Sequence, residues 1–242
     1  MNPDVTIDKK FFDVSFPLLD KFREMAPGSY KHCQNVSSIC ESIAVELDLH
    51  ADILKCAALY HDIGKMNNPL YFSENQPENE NIHDSLEPFV SYHMITRHVG
   101  DSVLHLLQIP EMPLEVIEVV SQHHGTSLLQ AFHAKAKSEP EDKYRYKCSQ
   151  PTSGEAAILM IVDSVEATAR SLFNSDNRPE DFIQKAINGT IDRLVDDGQL
   201  DSMKIGTLKK TKQVLTKELE SIYHKRVSYE PSSSEENGTE KN

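Results

Sequence analysis

The sequence predicts an all-α fold, a helical bundle broken by one long polar loop. Two observations predict it. Apolar residues recur at three- and four-residue steps along nearly the whole chain, and no segment shows the strong alternation of a half-buried strand. The composition agrees: 38% hydrophobic and 26% charged residues in a chain of 242 fit a soluble globular domain and exclude a collagen-like or wholly disordered protein.

The elements follow in order. A first helix is expected over about residues 9–25, kinked or divided at Pro17. Pro27-Gly28 is a break. A second helix covers about 29–47, with His32, Val36, Ile39, Ile43 and Leu47 on one face, and a third covers about 51–60, stopping near Gly64. Residues 66–84, MNNPLYFSENQPENENIHD, read as a long irregular loop, functional or disordered. Helices resume at about 85–107, with Gly100 a point where the helix can break, at 113–124, and at 127–137. Asp84 followed by Glu87 resembles a capping box for the first of these, and Pro113 suits the first position of the second. Residues 138–152 form a charged second loop. A long helix over 153–173 and amphipathic segments at about 179–196 and 201–226 complete a single domain, 1–227, and 228–242 is expected to be a disordered acidic tail.

With 38 acidic and 25 basic side chains the net charge is −13, which disfavours DNA, RNA and anionic lipid as partners. A small anionic substrate then needs metal ions or a local cationic patch. No stretch approaches the roughly 20 apolar residues of a membrane span, and MNPDVTIDKK lacks the apolar core of a secretory signal. Cys33, Cys40, Cys56 and Cys148 show no C-x-x-C spacing, so they read as reduced thiols and the expected location is cytoplasmic.

The 11 histidines carry the functional signal. His61-Asp62 lies where the apolar stripe Leu54, Ala57, Ala58 meets the turn Ile63-Gly64-Lys65. His32 continues the stripe of its helix, and His98 follows Val90 and Met94 at four-residue steps. His123 follows Val116 and Val120, and His124 follows Ile117 and Ser121. Asp163 stands inside the most apolar helix, AAILMIVDSVEATA, where a carboxylate is costly without a cation or several donors. One inward histidine is ordinary core; five with two carboxylates are satisfied together by a metal centre. Imidazole and carboxylate donors without thiolate suit Fe, Mn, Zn or Co. Seven groups exceed the need of one ion and match two divalent ions about 3.5–4 Å apart, an arrangement suited to phosphate-ester hydrolysis by a metal-bridging hydroxide. His123 and His124 project about 100° apart on a helix and meet one ion only if its end is loosened, which Gly125 allows. Lys65, Arg170 and Arg97 are candidate phosphate contacts; the competing readings are a solvated lysine and a Glu166–Arg170 surface pair. Tyr71, Phe72, Tyr144 and Tyr146 are candidates for stacking on a base, or for pinning their loops.

These residues resemble the HD superfamily of metal-dependent phosphohydrolases, all-helical proteins with the pattern H…HD…D, matched by His32, His61-Asp62 and Asp163 in a form, ALYHDIGK, specific to the group. The segments YFSENQ, NIHD, SQHHGTSLL, YRY and AAILMIVDSVEATARSL narrow the likeness, over about residues 25–175, to the HD domain of seven-transmembrane HD phosphodiesterases (PgpH type). The resemblance implies two divalent ions, Fe or Mn, and hydrolysis of cyclic di-AMP to linear pApA. It implies His32, His61 and Asp163 on one ion, His98, His123 and His124 on the other, and Asp62 bridging, with a substrate role for His83. It leaves the chain either an excised domain at the cytoplasmic face of a membrane or a stand-alone relative, its oligomeric state open. The turn after YRY, Lys147-Cys148-Ser149-Gln150-Pro151, departs from the family's lysine-bearing turn, and no GYP follows HHG, unlike the cyclic di-GMP relatives. The alternatives are an HD nucleotidase or phosphatase acting on mononucleotides, and a non-catalytic nucleotide sensor.

Overall fold

The computed structural model describes residues 5–77 and 80–227. Secondary structure in these residues is helical apart from one antiparallel bridge between Leu128 and Arg145. The helices are α1 (Pro17–Met25), α2 (Pro27–Leu47), α3 (Ala51–Tyr60), α4 (Pro88–Leu107), α5 (Leu114–Gln122), α6 (Gln130–Ala136), α7 (Gly154–Phe173), α8 (Phe182–Asp196) and α9 (Ile205–Val227). The expected tail, 228–242, lies outside the described residues.

α2 and α7 form the centre. α2 packs on α3, α7 and α9, while α5 packs on α3 and α7. Residues 156–163 of α7 are buried, so its first half is apolar on every side up to Asp163, with Glu166 buried one turn on. α8 and α9 pack on each other and cover α7, and α4 crosses the turn that follows α3.

Local chemistry moves several expected boundaries. The first helix is split: Asp8 caps a 3₁₀ turn at Lys9–Phe12, Asp13 accepts bonds from the Ser15 N–H and hydroxyl, and α1 starts afresh at Pro17. Pro17 thus initiates a helix instead of kinking one, because the first turn needs no N–H there. α4 begins at Pro88, three residues later than expected, since a residue before proline is pushed out of the α region. No capping box forms. Glu87 holds the cap position without a side-chain bond, and Asp84 instead accepts from Lys135 and Asn81. Gly100 leaves α4 unbroken. Pro113 is the cap of α5, one place before the first turn. Residues 127–129 pair with 144–146 (Leu129 N–H to Tyr144 O 3.0 Å, Tyr146 N–H to Ser127 O 3.0 Å), so α6 starts only at Gln130.

The 66–84 loop is not irregular where it is described. It winds through 3₁₀ turns at Ile63–Asn67, Pro69–Tyr71, Ser73–Asn75 and Ile82–Asp84. Its anchor is Asn75. Ala26, the cap residue of α2, has no side-chain acceptor, and Asn75 Oδ1 takes the exposed donors of that helix, Gly28 N–H at 2.9 Å and Ser29 N–H at 3.1 Å. Its amide returns a bond to Ser29 Oγ at 2.8 Å. A loop residue nearly fifty positions away therefore caps the helix that carries His32. Asn75→Ala is expected to lower stability by about 1–2 kcal/mol, the usual cost of a lost N-cap, read from the urea midpoint at constant m-value. Asn75→Asp, which keeps the acceptor oxygen for both N–H donors, should lose less.

Candidate metal centre

His61 and Asp62 follow α3 directly, at the point where the helix gives way to the Ile63–Asn67 turn. That turn lies against α4 so closely that a Cβ at Gly64 would stand 2.3 Å from His98 O and 2.5 Å from Ser102 N, and Gly64 N–H donates to Ser102 Oγ at 2.9 Å. Glycine is required by this contact, which brings His98 to face Asp62. His98 itself owes nothing to an apolar stripe, for Val90 is largely exposed. α5 ends at Gln122, one residue before His123, and Gly125 continues at φ +51°, so the two histidines do not sit on a regular helix. Gln199 holds this segment by accepting from Thr126 N–H at 3.1 Å.

The second nitrogen of each ring fixes the tautomer. His61, His98 and His123 each face a backbone carbonyl three residues back with Nδ1: Ala58 O at 2.8 Å, Ile95 O at 2.7 Å and Val120 O at 2.6 Å. A carbonyl only accepts, so Nδ1 carries the proton and Nε2 presents a lone pair inward. His32 Nδ1 is tied to the Glu166 carboxylate at 2.6 Å, its Nε2 to Asp163 Oδ1 at 2.9 Å. His124 has no hydrogen-bond tether among the described residues. Its ring is held by packing, 4.3 Å from Tyr146 and 4.1 Å from His123 between centroids.

Two donor groups result. In each, the ligand atoms lie within 4.8 Å of one another: His32, His61, Asp62 and Asp163 in one, and His98, His123 and His124 in the other. Asp62 spans them. Its Oδ2 is 3.3 Å from His61 Nε2 and 3.8 Å from His32 Nε2, and its Oδ1 is 3.3 Å from His98 Nε2 and 4.0 Å from His123 Nε2. His124 Nδ1 is 3.7 Å from Asp163 Oδ2.

The donors fit divalent cations. His61 Nε2 and Asp62 Oδ1 are buried without a hydrogen-bond partner, and Asp62 Oδ2 meets the Lys65 ammonium at 2.7 Å. The Nε2 atoms of His98 and His123 approach to 3.3 Å, two lone pairs facing each other once both Nδ1 protons are spent on carbonyls. A shared proton does not resolve this, because burial pushes His123 down to about 3 and also lowers His98. A cation does. His32 and His61 behave oppositely: burial opposes their charge, but Glu166 and Asp163 hold His32 up at about 10, and Cys33, Asp62 and Asp163 hold His61 well above the usual imidazole range, so a cation there competes with protons.

Lys65 stands at the rim. Its Nζ is 2.7 Å from Asp62 Oδ2 and 2.8 Å from Glu74 Oε1, and it lies over the Phe72 ring at 4.7 Å. Glu74 also accepts from Ser29 Oγ at 2.9 Å, and despite burial the lysine holds its pKa down at about 2. The lysine is therefore a buried ion pair, not a solvated side chain. A cavity of about 900 Å³ opens over the donors, lined by His32, Lys65, His98, His124, Tyr146 and Asp163 at this end.

Three expected substrate contacts do not line the cavity. Arg97 is largely exposed and pairs with Asp101 at 3.2 Å. Tyr144 is buried among Phe89, Tyr92 and His133, where it pins the 138–152 loop. His83 bonds Tyr71 O at 2.8 Å and packs on Phe132. Arg170 and Tyr146 do line it. Glu166, expected as a surface partner of Arg170, is buried and bonds His32 and Asn35, and lies 3.9 Å from Arg170. The sequence signal for Glu166 was its place one turn after Asp163 on an apolar helix; Glu74 and Arg193, also at the cavity, had none.

The HD-domain family model matches residues 29–168 of the chain. The chain is 37% identical over 222 residues to the cyclic-di-AMP phosphodiesterase PgpH of Bacillus subtilis, an alignment covering 88% of this chain and 30% of that protein. It thus spans less than a third of the curated relative's length. The crystal structure of the HD domain of Listeria monocytogenes PgpH is similar at TM-score 0.80 and 37% identity, covering 86% of this chain and 99% of the other. The same domain in complex with cyclic di-AMP is similar at TM-score 0.80 and 35% identity, covering 87% and 100%.

Replacing Lys65 with methionine leaves Asp62 and Glu74 buried without their shared cation. In EDTA the variant is expected to lose about 3–5 kcal/mol of unfolding free energy in urea; a loss under about 1 kcal/mol, that of a surface pair, would show that the ammonium does not balance these carboxylates.

Proposed function

The chain belongs to the HD-domain family, and on that premise we propose that it is a two-metal phosphodiesterase that hydrolyses cyclic di-AMP to linear pApA. The observation that carries this is Asp62, one buried carboxylate whose two oxygens face two separate sets of imidazoles beneath one cavity. The cyclic di-AMP bound by the Listeria relative supports the choice of substrate. Two divalent ions, when bound, supply Lewis acidity that activates water and neutralises phosphate oxygens.

The residues divide the work. His32, His61 and Asp163 would hold one ion and His98, His123 and His124 the other, with Asp62 placed to serve both. Iron or manganese suits these donors, since the cysteines stand outside the set. Lys65, fixed between Asp62 and Glu74, steadies a non-bridging phosphate oxygen. Water adds across one P–O3′ bond, leaving a 5′-phosphate and a 3′-hydroxyl. Tyr146 places the otherwise untethered His124 ring. Residues 1–227 act as one domain, because α8 and α9 complete the cover of α7 and α2. The four cysteines are free and no described helix is long and apolar enough to cross a membrane, which supports work in the cytoplasm.

Metal analysis combined with chromatography of the products from cyclic di-AMP tests the reading. Two ions per chain and pApA are expected, and Asp62→Asn should abolish turnover while the helical circular dichroism persists. Inorganic phosphate released from mononucleotides, with cyclic di-AMP left intact, would overturn it. The two ions should also differ. Tyr146→Ala is expected to lose one of them preferentially on dialysis, and Tyr146→Phe, which keeps the ring, to retain both.

A further inference from the structure

The cavity continues well past the metal donors. Arg170 lies seven residues beyond Asp163 on α7, roughly 10 Å along the helix axis at 1.5 Å per residue, and lines the cavity with Asn174 and, from α8, Arg193. The HD family match ends at residue 168, so this wall is built by segments that follow it.

Arg193 is placed unusually for an arginine on an acidic helix. Its natural partner one turn on, Asp197, is taken by Arg145 at 2.8 Å, and its neighbour Asp192 pairs with Lys212 at 3.6 Å. No carboxylate among the described residues pairs with Arg193, although the chain carries a net charge of −13. The side chain is half-buried at the cavity wall. Arg170 is nearly as open: its nearest carboxylate, Glu166, stands 3.9 Å away and is committed to His32 and Asn35. Two arginines thus line a cavity whose other end holds the metal donors, and Arg193 also borders a second, acidic pocket with Asp192, Asp196 and Asp197. A cyclic dinucleotide has two phosphates, of which the ions engage one, and the planar fork of arginine matches the other in a bidentate way.

We propose that Arg193, with Arg170, forms a second phosphate subsite that binds the uncleaved phosphate of the dinucleotide, an assignment that rests on the proposed function. It makes Arg193 a specificity-determining residue, favouring substrates with two phosphates over single-phosphate esters.

The experiment compares manganese-loaded wild-type, Arg193→Gln and Arg193→Lys proteins on cyclic di-AMP and on bis(p-nitrophenyl) phosphate, which has one phosphate. In Arg193→Gln the ratio of kcat/KM for cyclic di-AMP to that for the simple ester should fall about ten- to hundredfold, as for a lost charged hydrogen bond. The fall should lie in KM, with two manganese ions still bound, and Arg193→Lys should recover part of it. A ratio within about twofold of wild type overturns the subsite and leaves the proposed activity standing. If wild type cleaves only the simple ester, the functional reading fails instead, and equilibrium dialysis of cyclic di-AMP decides the subsite: tenfold weaker binding by Arg193→Gln sustains it, and equal binding overturns it.

Discussion

A carboxylate buried at 1% exposure, with one oxygen left without a hydrogen-bond donor, is the constraint on which this structure depends. Burying an unpaired charge is among the most expensive things a fold can do. Around Asp62 the cost is met mostly within its own turn, by the Lys65 ammonium at 2.7 Å and the His61 ring at 3.3 Å, with His98 reaching it from α4. Burial would raise the carboxyl pKa, yet Lys65 and His61 hold it well below the usual range. The Gly64 turn, the close approach of α4 and the early end of α5 are all ways of delivering those partners.

The support around the donors is uneven. Three rings are fixed through Nδ1 by carbonyls of their own local chain, which costs no extra residue and sets the tautomer at the same time. His32 is fixed by Glu166, a residue of another helix. His124 relies on ring packing against Tyr146, which in turn depends on the short pairing of 127–129 with 144–146. The second group of donors is therefore coupled to the loop that follows α6, while the first is locked into the α2–α7 core.

Charge distribution links the centre to the proposed substrate. A chain with 38 acidic and 25 basic side chains repels a phosphate ester at long range. Inside the cavity this is offset by Lys65, Arg170 and Arg193, which line it together with Glu74 and Asp163. Glu74 and Glu166 do not cancel this effect so much as organise it. Each buried acid holds a basic group in place and is itself saturated by other donors.

The sequence by itself determined the all-helical class and six of the seven donors that converge, because both are written in local patterns: apolar periodicity, and polar groups set in apolar stripes. His32, His61, Asp62, His123, His124 and Asp163 were legible in this way, whereas His98 owes its place to the close approach of α4 to the Gly64 turn. Tertiary structure alone decided which cations and carboxylates serve them. Arg97 reads like a neighbour of His98, but it projects outward to Asp101, since adjacent residues in a helix point about 100° apart. Glu74 sits in a loop whose course is set by Asn75 capping α2, a contact spanning nearly fifty residues with no local signature. Arg193 belongs to a helix whose amphipathic pattern says only that one face is buried; what that face meets depends on how α8 lies across α7, which long-range packing decides.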